Sequence, residues 1–118
     1  MDLYCKIFVS APLSERELGE FLTASANGSF DYGEIETSWG SIILDDNDDH
    51  SPSKIRGPDA FLFYPFHLEI EPAGEIDQET YIEEIGKLLS SLWDKGFRAV
   101  AACDFEDRLP RKGGIGQF

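Results

Sequence analysis

Two periodicities in this chain limit what it can fold into. From Leu3 to Ala11 the residues alternate, with Leu3, Cys5, Ile7 and Val9 on one side and Tyr4, Lys6 and Phe8 on the other. From Phe61 to Glu71 they alternate again, Leu62, Tyr64, Phe66, Leu68 and Ile70 against Phe61, Phe63, Pro65, His67, Glu69 and Glu71. Period two with β-branched and aromatic residues predicts strands. Tyr81, Ile82, Ile85, Leu88, Leu89 and Leu92 instead recur at helical spacing and predict an amphipathic helix running to about Lys95. Such a chain must lay helices on a sheet.

The punctuation completes the order. Pro12 ends the first strand, and Ser14-x-x-Glu17 reads as a capping box, with Leu18, Phe21 and Leu22 as the buried stripe of a short helix. Asn27-Gly28 stops it. Ser29 to Asp45 reads either as a hairpin broken at Trp39-Gly40 or as one long bulged strand. Pro65 cannot donate to a ladder, which predicts an edge position or a bulge for the strand that contains it. Asp77 caps the long helix and Gly96 ends it. Phe97 to Phe105 is a last strand rich in alanine, and the tail 106–118 reads as irregular.

The order is β-α-β(β)-β-α-β. It predicts an α+β fold of the ferredoxin-like, split βαβ kind: a two-layer sandwich of four to five antiparallel strands with two helices on one face. At 118 residues the chain is one domain, 1–118, with a core large enough to hold without staples. The start of the chain has no basic segment followed by an apolar stretch, and no run is long enough for a membrane span, so the chain reads as cytoplasmic. Cys5 and Cys103 lie in apolar strand-like runs and read as buried reduced thiols rather than one disulfide; if the first and last strands are neighbours the two are close, which is compatible with either state.

Charge narrows the partners. Asp and Glu number 23 against 10 Lys and Arg, a formal net charge of −13. Such a field repels nucleic acid and anionic membranes and speeds encounter with a basic partner. The evident loop, 45–59, opens with Asp45, Asp46, Asp48 and Asp49. It does not fit a calcium loop: the sixth position is His50 where glycine is needed, and the twelfth is Arg56 where a bidentate Glu is needed. Turn formers and like charges predict that it packs on nothing.

Chemistry-bearing motifs are weak. His50 and His67 without paired cysteines make no zinc set. His67 could act as a general base, but no nucleophile elbow accompanies it. Cys103-Asp104 at a strand end is a candidate reactive thiol. Gly113-Gly114-Ile115-Gly116 neither follows a strand nor opens a helix, as a phosphate cradle should. No cofactor is expected.

The sheet face away from the helices is predicted to carry Tyr4, Lys6, Phe8, Phe61, Phe63, Pro65 and His67, too aromatic for a solvated surface. Acids at Asp31, Glu34, Glu36, Asp45 to Asp49, Glu69, Glu71, Asp104, Glu106 and Asp107 could form one negative wall beside it. Size, charge and the closing segment Cys103-Asp104-Phe105-Glu106-Asp107-Arg108-Leu109-Pro110 resemble small acidic bacterial proteins similar in type to the immunity proteins of polymorphic toxin systems. The resemblance implies a non-enzymatic inhibitor of a basic protein such as a nuclease-type toxin.

In this reading Asp45, Asp46, Asp48, Asp49, Asp104, Glu106 and Asp107 steer the partner, and Trp39, Phe61 and Phe63 anchor it. The alternatives are a domain that binds a small ligand and forms a homodimer through the open sheet face, or a small protein with a structural role.

Overall fold

The computed structural model describes residues 1–54 and 57–118. Ile55 and Arg56, within the expected acidic loop, lie outside the described residues. The strands are β1 (Cys5–Ser10), β2 (Ser29–Asp31), β3 (Glu34–Glu36), β4 (Gly40–Asp46), β5 (Phe66–Pro72) and β6 (Arg98–Cys103), and the helices are α1 (Glu15–Ala26) and α2 (Gln78–Asp94). All strands pair antiparallel in one sheet of order β2-β3-β4-β5-β1-β6. The fold is α+β, with six strands where four to five were expected.

The additional strand comes from Ser29 to Asp45. That segment is neither a single hairpin nor a bulged strand but two successive turns. Tyr32 and Gly33 form the first, both at positive φ (48° and 83°). That is the two-residue geometry whose twist suits a hairpin. Thr37 closes the second, its hydroxyl donating to the Gly40 carbonyl at 2.7 Å and accepting from the Trp39 and Gly40 amides.

Helix α1 starts at the capping box predicted for it: the Ser14 hydroxyl accepts from the Glu17 amide, and the Glu17 carboxylate accepts from the Ser14 amide. Asn27 ends it in the left-handed conformation. Asp77 caps α2 by accepting from the Thr80 amide. Both helices bury their apolar stripes on one sheet face, with Leu18 and Leu22 from α1 and Tyr81, Ile85 and Leu89 from α2 meeting Ile7, Ile42, Leu68 and Ile70. Each such fully buried side chain is worth about 1.5–3 kcal/mol. The Tyr81 hydroxyl reaches the Leu3 carbonyl at 2.6 Å and lies 3.2 Å from the Ile70 carbonyl, which ties α2 to the ends of two strands.

Two expectations are corrected. The strand taken to begin at Phe61 begins at Phe66; Ala60–Phe63 is a 3₁₀ turn, and Pro65 precedes a central strand instead of marking an edge. Tyr64, expected on the helix side, joins Phe8 and Val100 in a second buried cluster on the opposite face, with Phe61 packed against it. The tail has one 3₁₀ turn, Glu106–Arg108, and is irregular beyond it as expected, with Arg111, Lys112, Gly113 and Gly114 at positive φ; it buries Leu109 and lies along the free edge of β6. A Cβ at Gly114 would come within 2.6 Å of the Ala99 carbonyl, and Trp93 donates its indole N–H to that same carbonyl at 2.9 Å. Edge groups that could template another strand are thereby covered.

Candidate functional site

The sheet face away from the helices divides in two. Its β1–β6 half is roofed: the turn Ala60–Phe63 places Phe61 on Phe8, ring centroids 5.4 Å apart at 69°. The roof is pinned by Asn47, a residue buried at 8 % exposure. Its side-chain amide donates to the carbonyls of Leu62 (2.9 Å) and Tyr64 (2.7 Å), its backbone amide donates to the Pro65 carbonyl, and its side-chain oxygen accepts from the Asp49 amide. The start of the acidic loop is therefore built into the fold, against the expectation that it packs on nothing.

The β3–β4–β5 half is open, and its residues follow from register. Ile43 of β4 stands between Glu34 of β3 and Glu69 of β5. One step along, Ser41 stands between Glu36 and Glu71; one step the other way, Asp45 stands beside His67. Directly opposed side chains in such a sheet are about 4.5–5.5 Å apart at Cβ. Ile43 is thus an exposed apolar centre within a ring of five carboxylates: Glu34, Glu36, Asp45, Glu69 and Glu71.

Neighbouring groups respond to this crowding. Glu36 is held above the usual carboxylate range, first by a shared hydrogen bond with Glu34, then by burial and by Glu34's charge. Burial, the hydrogen bond to Glu69 (2.8 Å) and the charges of Glu69 and Glu71 push the Tyr4 phenol up to about 12. Glu15, at the start of α1, is raised by burial and by Asp46 and Asp45. Each case has a charged form disfavoured in part by negative neighbours.

Beside this face the β2–β3 hairpin projects its tip. Tyr32 is fully exposed at 100 %, and Phe30 is 41 % exposed with its ring against Gly19 of α1. A groove of about 570 Å³ lies here, lined by Arg16, Phe30, Tyr32, Glu34, Ile43 and Asp45 among others. A bulky residue at positive φ is strained in a turn that Asn or Gly would fill without cost.

The residues singled out in the sequence fare unequally. Asp45, Asp46, Asp48 and Asp49 are exposed, the first two at the end of β4 and the others in the loop. Asp104, Glu106 and Asp107 lie at the opposite end of the sheet, because Cys103 pairs with Cys5 and Cys5 with Ile70, whereas Asp45 pairs with His67 and His67 with Phe8. The two clusters therefore stand apart, with Glu69 and Glu71 of β5 between them. Glu106 and Asp104 also have local duties, accepting from the amides of Cys103 (3.0 Å) and Asp2 (3.1 Å).

Trp39 is 3 % exposed and packs on Tyr81 at 6.0 Å, so it cannot anchor a partner from the surface. Phe61 is half-buried as roof. Phe63 is half-buried beneath the Lys54 ammonium, 4.6 Å from its ring centroid. His67 has Asp45 and Phe8 as its register neighbours, neither a serine nor a cysteine. Glu34, Glu36, Glu69 and Glu71 were expected in one negative wall, but which of its acids stand side by side needs the register of β3 against β4. Tyr32 was missed; its place before Gly33 between two alternating runs was the available signal.

No group of His, Cys, Asp and Glu suited to a metal ion occurs among the described residues, and no helix among them is long and apolar enough to cross a membrane. No family model matches the chain, and no curated protein or solved structure matches it either.

Proposed function

We propose that this chain is a non-enzymatic binding protein of the cytoplasm that docks its open, acidic sheet face on a basic protein. In its most concrete form it is an inhibitor of the immunity or antitoxin type, and the partner is a phosphate-binding enzyme such as a nuclease-type toxin. The observation that carries the reading is the exposed Ile43 within the ring of Glu34, Glu36, Asp45, Glu69 and Glu71. An apolar centre with a charged rim is the anatomy of an interface. Carboxylates spaced along strands copy the charge of a phosphate chain and raise the encounter rate with a cationic cleft. Tyr32 at the hairpin tip supplies an aromatic anchor beside them.

We read the architecture beneath as ferredoxin-like. Strands β6-β1-β5-β4 with α1 and α2 have the connectivity of the split βαβ motif, and the β2–β3 hairpin extends it. The extension supports the functional reading, because it adds Glu34, Glu36 and Tyr32 to the face.

Self-association through this face is the less favoured reading. The aromatic half expected to serve it is filled by Phe61 and Tyr64, and two copies meeting through the other half would oppose like charges.

The test is affinity capture from source-cell lysate, at low and high salt, with the natural chain and with a variant in which the five ring carboxylates become amides. Recovery of a basic protein by the natural chain alone, released by salt and inhibited in a defined assay, supports the proposal. Equal recovery by both chains, or a salt-insensitive homodimer in sedimentation, contradicts it.

A further inference from the structure

Cys5 and Cys103 face each other directly across the first and last strands. The pair sits at a position without ladder hydrogen bonds. The Ala99 carbonyl points to the free edge, where Trp93 meets it, and positions 101 and 103 share that direction by the period of the strand; the Cys103 amide accordingly donates to Glu106 and not to β1. Opposed residues at such positions have Cα atoms about 4.5 Å apart, within the span a disulfide bridges without backbone movement. Both thiols are free. Cys5 is fully buried under the helices, while Cys103 is half-buried at the strand end.

We propose that Cys5 and Cys103 are a thiol–disulfide exchange site that closes to a reversible disulfide when the chain meets a small oxidised thiol such as oxidised glutathione. Exposure sets the order of events. The Cys103 thiolate attacks one sulfur of the small disulfide; that S–S bond breaks, one small thiolate leaves and takes up a proton, and Cys103 carries a mixed disulfide. Cys5 then gives up its proton and attacks the Cys103 sulfur, and the second small thiol departs. Two protein thiols are oxidised and one small disulfide is reduced to two thiols.

The asymmetry of the pair agrees with these roles. Hydrogen bonding with Cys5 holds the Cys103 thiol below the ordinary thiol range, although burial opposes it; the same bond, followed by burial, pushes Cys5 well above that range. The attacking group is thus the more ionised and the more accessible of the two.

The closed form joins the two ends of nearly the whole chain, so it restricts the unfolded state strongly. It lies on the helix side of the sheet, away from the acidic face, and stands independently of the function proposed above.

The experiment incubates the full native chain in mixtures of reduced and oxidised glutathione and reads intact mass, thiol content and Tm. Expected is the paired loss of both thiols in a monomer lighter by two hydrogens, reversed by reductant, with Tm raised by roughly 5 °C or more. Cys5→Ala, or Cys5→Val where alanine loosens the core, stops at Cys103 bearing one glutathione. Cys103→Ala is unmodified until unfolded. Retention of both thiols under mixtures that oxidise the denatured chain, or oxidation only between molecules, overturns the proposal.

Discussion

The side-chain amide of Asn47 donates to the carbonyl of Tyr64 at 2.7 Å, and this contact roofs one half of the sheet while leaving the other half open. A second bond to Leu62 uses the amide's other hydrogen. Asn is the one small side chain that meets two carbonyls with two donors and still offers an oxygen to the Asp49 amide.

Asn47→Ala is therefore expected to cost about 1–3 kcal/mol through buried carbonyls left without donors. Asn47→Asp should cost more, since its carboxylate would face two carbonyls. In both variants the 47–64 segment should become sensitive to protease and Phe8 should become accessible to hydrophobic dyes. Denaturant melts and limited proteolysis check this.

Trp39 distinguishes a core residue from an anchor. Its indole N–H is buried without a partner among the described residues. Trp39→Phe removes that donor and keeps most of the ring, and is expected to cost less than about 1.5 kcal/mol; Trp39→Ala should cost about 3–5 kcal/mol. Neither should change the rate at which the folded protein meets a partner, as stopped-flow measurement would show.

Tyr32→Asn should raise stability by roughly 0.5–1 kcal/mol, because an exposed ring contributes no burial and Asn-Gly fits the turn without strain. The same substitution should weaken partner binding. Thermal melts beside binding titrations read both effects; a loss of stability would mean that the ring packs on the domain.

Alkaline pH should destabilise the fold through Tyr4. Its pKa is pushed up to about 12 in the folded chain from an unfolded value of 10.0, so the folded state holds its proton more tightly. The stabilisation is complete below pH 10 and is lost as pH rises toward 12. Tyr4→Phe should reduce the slope of that part of the pH profile in urea melts monitored from pH 8 to pH 12, the remaining slope coming from Cys5, Tyr64 and Tyr81, which burial also helps to push up.

Much of the scaffold was legible in sequence because its signals are local. Ser14 and Glu17, Asp77, and the stripe Tyr81 to Leu92 each specify an element by spacing alone. The extra strand was not legible, because Phe30 and Ile35 pair only once Tyr32 adopts an unusual conformation. The alternation through Phe61 misled for a tertiary reason: Asn47 takes the carbonyls of Leu62 and Tyr64, which withdraws that segment from the sheet. The acids were all visible, but only register decides that Glu34, Asp45 and Glu69 share a face, while Asp104 and Asp107 lie beyond the end of β6.

The central claim is most directly tested by association kinetics against ionic strength with the captured basic partner. Three chains are compared: the natural chain, the ring variant Glu34→Gln, Glu36→Gln, Asp45→Asn, Glu69→Gln, Glu71→Gln, and a control with Asp48, Asp49, Asp104 and Asp107 made Asn. The account predicts a rate that falls steeply with salt for the natural chain and the control, and a rate about 10-fold lower or less, nearly flat with salt, for the ring variant. Equal rates for the natural chain and the ring variant, or a loss confined to the control, would contradict it.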